Sequence, residues 1–107
     1  VTFKTNTFIF SFFVFHFAYS QEKDLLTKGG ALYATNCAMC HGKTGKGEGA
    51  VGKNLTPKLQ PLTKYNEKKI IEILESENIP MMRSYKKSLS FVEKEAIAKY
   101  IQTINKK

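Results

Sequence analysis

Residues 37–41 read Cys-Ala-Met-Cys-His and hold both of the chain's cysteines and one of its two histidines. A bridge between Cys37 and Cys40 would close so short a loop that little entropy would leave the unfolded chain. A disulfide is therefore not what holds this protein together. The first twenty residues have the order of a secretory signal: Lys4 and no acid before Phe8, an apolar run Phe8–Phe17, then Ala18-Tyr19-Ser20 with small side chains where a cleavage site requires them. That run is about ten residues, short of the roughly 20 that span a bilayer. Cleavage after Ser20 and export are the expectation, into the periplasm if the source is bacterial, leaving residues 21–107 as one domain with no stable membrane insertion; an uncleaved membrane anchor is the alternative. A domain this small buries a modest core and leans on a metal or cofactor for support.

Three chemistries use two cysteines at this spacing. A redox dithiol of the thioredoxin kind needs a strand before the motif and a helix after it, whereas Asp24–Asn36 is made of helix-compatible residues. A zinc site needs about four ligands, yet no second cysteine pair exists, and His16 leaves with the signal, so His41 is the last histidine. The third reading uses every residue present. In C-x-x-C-H the two thiols add to the vinyl groups of haem, and the following histidine becomes an axial ligand of the iron. Cys37 and Cys40 are thus the expected covalent attachment points for one haem c, and His41 the proximal ligand. Bis-histidine ligation is excluded by counting, and a thioether is the next choice for the sixth position. Met39 lies on the attachment turn itself and cannot reach the opposite side, which leaves Met81 or Met82.

At these residues the chain resembles the class I cytochromes c, small monohaem electron carriers. The resemblance covers most of residues 24–104. "GGALYATNCAMCHG" is similar to the family's Gly, aromatic and first Cys at intervals of four, with Gly29 and Tyr33 at the places where the first helix crosses the last. "GKTGKGEGAVGKNL" resembles its proximal loop, and "MMRSYKKSLS" its Met-Pro-x-aromatic stretch, with Met82 on the ligand and Tyr85 on the aromatic. Met82 is preferred to Met81 because it keeps Tyr85 three residues downstream. Two departures stand out. Arg83 replaces the proline after the ligand, and Lys53 stands where the family often has a proline whose carbonyl orients the histidine, so that Pro57, Pro61 or another carbonyl is left for that part.

The resemblance implies an all-α fold, three to four short helices wrapped around one haem. The residue pattern agrees: a helix over Asp24–Asn36, a glycine- and proline-rich loop over residues 42–64, and a helix near 66–76 behind Asn66 as N-cap. A final helix opens on the capping box Ser90-Phe91-Val92-Glu93, carries Ile97, Tyr100, Ile101 and Ile104 on one face, and ends at Lys106 and Lys107. Tyr33 and Tyr100 are expected to pack where first and last helices cross.

The implied function is one-electron transfer by a His/Met-ligated haem, without catalysis. A net charge of +8, almost all of it lysine, suits redox partners with an acidic patch, such as a terminal oxidase or another haem protein. No nucleic-acid motif accompanies it, and a monomer is expected. The competing readings are a five-coordinate or weakly ligated haem for gas binding or peroxidase-like activity, and a haem subunit of a larger oxidoreductase.

Overall fold

The computed structural model describes the backbone of residues 2–104 and the side chains of residues 18–104. Four α-helices follow in chain order: α1 (Thr2–Asn36), α2 (Ala38–His41), α3 (Glu67–Leu74) and α4 (Phe91–Ile104), with 3-10 turns at Gly52–Asn54 and Leu62–Lys64. No strand occurs among the described residues, and the fold is the small all-α arrangement that the sequence predicts.

The first helix differs from expectation at its start. It does not begin at Asp24 but runs unbroken through Ser20 from Thr2, because no glycine or proline precedes Gly29 to interrupt it. Among the described residues no helix is long and apolar enough to cross a membrane. The predicted signal falls partly on side chains outside the described residues, as do Lys106 and Lys107.

At the other end of α1 the chain changes direction through Cys37 (φ −120°, ψ −36°) and makes the single turn of α2. The Cys37 N–H donates to the Tyr33 carbonyl at 2.8 Å, while the Cys37 carbonyl accepts from Cys40 at 3.3 Å and His41 at 2.8 Å. Both cysteines and the histidine are therefore presented from one tight corner.

That corner is held by the crossing of α1 and α4. A Cβ on Gly29 would strike the carbonyl of Ala96, so only glycine lets the two backbones approach this closely. One turn further along α1, Tyr33 is 2% exposed and its ring centre lies 5.4 Å from that of Tyr100, tilted by 50°. The expected aromatic packing at the crossing is what the structure contains. Ala96, Ile97, Ala98, Ile101 and Ile104 line the buried side of α4.

Local signals account for where α3 and α4 begin. Asn66 Oδ1 accepts from the Lys69 N–H at 2.8 Å, capping α3. Ser90 Oγ accepts from the Glu93 N–H at 3.1 Å and Glu93 Oε1 from the Ser90 N–H at 2.8 Å, so both halves of the capping box are made. Ile70 and Leu74 of α3 then enter the core that α4 provides. Lys94, on the same helix, is almost wholly buried. Its ammonium donates to the Lys86 carbonyl at 2.9 Å and pairs with Glu75 at 3.3 Å, tying the end of α3 and the 86–90 segment to α4. A buried ammonium needs such partners, since without them its desolvation would go uncompensated.

Candidate functional site

Between these elements lies a cavity of about 420 Å³, within the roughly 300–1,000 Å³ range of cofactor sites. Cys37, Cys40 and His41 reach it from the α1–α2 corner, Met81, Met82 and Arg83 from the loop before α4, and aliphatic side chains including Leu59, Leu74, Ile97 and Ile101 make most of the remainder. A wider groove of about 660 Å³ runs outside α3 between Glu67 and Phe91. Its glutamates are paired with lysines, Glu67 with Lys99 and Glu72 with Lys69, and its walls hold neither sulfur nor imidazole. The smaller cavity is where reactive side chains converge.

The two thiols are unbridged and half-buried. Burial pushes the Cys37 thiol up to about 11, with the neighbouring Cys40 adding to the rise. A dithiol that attacks disulfides needs the opposite shift, so this environment argues against the thioredoxin-like reading. Burial lowers the His41 pKa, favouring the neutral imidazole that a metal ligand must be. Its Nδ1 is buried without a hydrogen-bond partner. Neither Pro57 nor Pro61 therefore bonds it, nor does Lys53: the Lys53 carbonyl accepts from the Lys58 ammonium at 2.8 Å and that of Pro61 from the Lys64 N–H at 3.2 Å.

His41 is positioned instead by the loop folded over α2. Its carbonyl accepts from the Gly47 N–H at 2.9 Å, that of Cys40 from Gly49 at 3.2 Å, and that of Met39 from Val51 at 2.9 Å. A Cβ at Gly49 would collide with the Met39 and Ala38 carbonyls, which explains glycine there. Sequence reasoning overlooked what fixes the loop's own shape. The Glu48 carboxylate accepts from the Thr44 N–H at 3.0 Å, the Thr44 hydroxyl at 2.6 Å and the Lys46 N–H at 3.0 Å. These bonds, led by the Thr44 hydroxyl, lower the Glu48 pKa from its ordinary 4.5 to about 2. A depressed carboxylate contributes stability that is complete above the unfolded value and is lost as pH falls through the folded one. Amide exchange at Thr44 and Lys46 should accordingly quicken, relative to an unstructured peptide, between about pH 4.5 and about 2. In Glu48→Ala the same amides should exchange fast throughout, and a wild-type profile flat across that window would contradict the capping role.

The three methionines are placed differently. Met39 is 62% exposed on α2 and Met81 64% exposed, whereas Met82 is half-buried against the core. Met81 adopts a left-handed backbone (φ 65°), the single non-glycine residue with positive φ among those described. The turn it makes lets the Met82 N–H donate to the Ile79 carbonyl at 3.2 Å and sets Met82 toward the interior.

Two tyrosines complete the corner. The Tyr33 hydroxyl donates to the Gly42 carbonyl at 2.5 Å and the Tyr85 hydroxyl to the Asn36 carbonyl at 3.0 Å, so the 37–41 segment is held just before Cys37 and just after His41. The Arg83 guanidinium lies 5.5 Å from the Tyr85 ring centre. Aromatic residues at both positions were visible in the sequence, but the destinations of their hydroxyls were not.

The donor set fits haem better than a bare ion. No three metal-binding side chains of the His, Cys, Asp or Glu types cluster among the described residues. An apolar slot with two thiols one helical turn apart, a half-buried imidazole and a thioether suits a flat, greasy group that brings its own equatorial ligands.

The family model described as "Cytochrome C oxidase, cbb3-type, subunit III" matches residues 24–101, from the last turns of α1 through the methionine loop to α4. Over 79 residues the chain is 34% identical to the cytochrome bc1 complex cytochrome c subunit of Mycobacterium leprae (strain TN), covering 74% of this chain and 26% of that protein. It thus spans about a quarter of that relative's length. Helical architecture, the Cys-Ala-Met-Cys-His motif in its corner and a family match over most of the sequence lead to one conclusion: the chain belongs to the c-type cytochromes, in the family of cbb3-type cytochrome c oxidase subunit III.

Proposed function

We propose that this cytochrome carries single electrons on one haem, held through thioethers by Cys37 and Cys40 and ligated by His41 and Met82. The observation that carries the reading is the convergence of both thiols, the imidazole and a half-buried thioether on one apolar cavity from two distant chain segments. Bound there, haem supplies a one-electron couple whose potential a thioether ligand raises. The side chains do the rest. Aliphatic residues of α3 and α4 exclude water, and the loop anchored by Glu48 keeps His41 in place. With both axial positions filled, no site would be open to a substrate, which is why no catalytic role is assigned. The absorption spectrum of the oxidised holoprotein tests this ligation: the weak far-red band of a thioether on ferric iron should be present, and its absence would favour the five-coordinate alternative.

The 26% coverage of the M. leprae subunit favours a second arrangement, in which this domain serves as a haem subunit or module of a larger oxidoreductase. The two matches are named for a cbb3-type cytochrome c oxidase and a cytochrome bc1 complex, and they support a redox protein as partner, met through the lysine-rich surface. Gel filtration of native extract distinguishes a free monomer from an assembled subunit. Export with cleavage after Ser20 is part of the same proposal. Ala18, Tyr19 and Ser20 are exposed, so a peptidase would not have to unpack a core to reach them.

A further inference from the structure

The loop that brings Met82 to the cavity has few ties to the rest of the molecule. Its Met82 N–H bonds within the loop, to Ile79, and the Ser84 hydroxyl reaches the Ser76 carbonyl only at 3.5 Å. Tyr85 is different. It is 6% exposed, and its hydroxyl bonds a carbonyl 49 residues away in sequence. That carbonyl belongs to Asn36, the last residue of α1, where the helix is interrupted. The Cys40 N–H, which would bond Asn36 if the helix continued, turns to Cys37 instead. The Tyr85 hydroxyl thus satisfies a carbonyl released by the very corner that presents Cys37.

We infer that Tyr85 is a positioning residue that latches the Met82 loop to the attachment corner, with the Arg83 guanidinium over its ring as a brace. The inference rests on the His41/Met82 ligation proposed above. Its content is that one buried hydroxyl links the two segments that together grip the cofactor, and so sets how often the loop lifts away. The brace fits the chain's departure from its family. A proline at position 83 would stiffen the loop by restricting its backbone, whereas Arg83 holds it through a cation over an aromatic face.

The test compares Tyr85→Phe with Tyr33→Phe in the holoprotein. Each variant removes one hydroxyl from the same corner, bonded to Asn36 and to Gly42 respectively, but only Tyr85 belongs to the methionine loop. The readouts are the rate at which cyanide is taken up by the oxidised protein, a probe that enters only when the loop opens, and hydrogen exchange in the 79–84 segment. Both are set against the denaturant midpoint for global unfolding. One buried hydrogen bond amounts to a roughly two- to tenfold change in an opening equilibrium. Tyr85→Phe should therefore take up cyanide faster by about that factor and exchange faster in 79–84, out of proportion to any shift in its midpoint. Tyr33→Phe should shift the midpoint without that selective gain. Equal rates in Tyr85→Phe and wild type would overturn the latch. So would a gain in both variants that merely tracks their midpoints, which would reduce Tyr85 to a stabilising residue. A wild-type protein lacking the far-red band would remove the ligation reading itself and the latch with it, an outcome recognisable before either variant is made.

Discussion

Met82→Ala should abolish the far-red band of the oxidised protein and lower its reduction potential, while Met81→Ala should leave both unchanged. The two residues are adjacent and chemically identical, so the difference comes from backbone geometry alone. Met81 occupies the left-handed region at φ 65° and is 64% exposed, and the turn it makes delivers Met82 to the cavity wall. Deleting a partly buried methionine side chain also costs about 2 kcal/mol of stability. Met81→Gly should go the other way, gaining about 1 kcal/mol because glycine adopts positive φ without a Cβ clash. The band is read by absorption, the potential by spectroelectrochemistry and the stability by denaturant titration. Loss of the band in Met81→Ala with its retention in Met82→Ala would reverse the assignment.

Removing both attachment thiols should have the larger effect. The cavity of about 420 Å³ is apolar for most of its surface. Left without its occupant, that apolar lining would stand open to water and its burial would be forfeited, a serious loss for a small domain whose whole stability is about 5–15 kcal/mol. The Cys37→Ser/Cys40→Ser variant should carry no covalent pigment and lose most of its helical circular dichroism. A colourless double variant with native helix content and a cooperative melt would show that the fold stands without its cofactor.

The parts of this protein that were legible in its sequence are those whose physics is local. The Asn66 cap and the Ser90–Glu93 capping box each close within three residues, and both are made as expected. The c-type cytochrome family was equally visible in the Cys-Ala-Met-Cys-His motif, which depends only on residue type and spacing. The start of α1 was misplaced for the opposite reason. Asp24 offers an acidic start, but a helix starts only where the preceding chain is not helical, and nothing between Thr2 and Lys28 stops one. What escaped notice depends on long separations. Lys94 belongs in sequence to an ordinary charged helix position, and only Glu75 and the Lys86 carbonyl, brought alongside by folding, make its burial tolerable. The Tyr85–Asn36 bond spans 49 residues and has no periodic trace. Nor did the motif foretell the state of His41: proline carbonyls were the natural candidates to orient it, yet its Nδ1 stands unpaired.

The central claim is that Cys37 and Cys40 bind a haem covalently. Intact mass spectrometry of the native protein under denaturing conditions, with its absorption spectrum recorded in parallel, tests this most directly. The account predicts a mass exceeding that of the polypeptide by one haem, with colour that stays on the protein after acid–acetone extraction. A mass equal to the bare polypeptide, or pigment released into the extract, would contradict it.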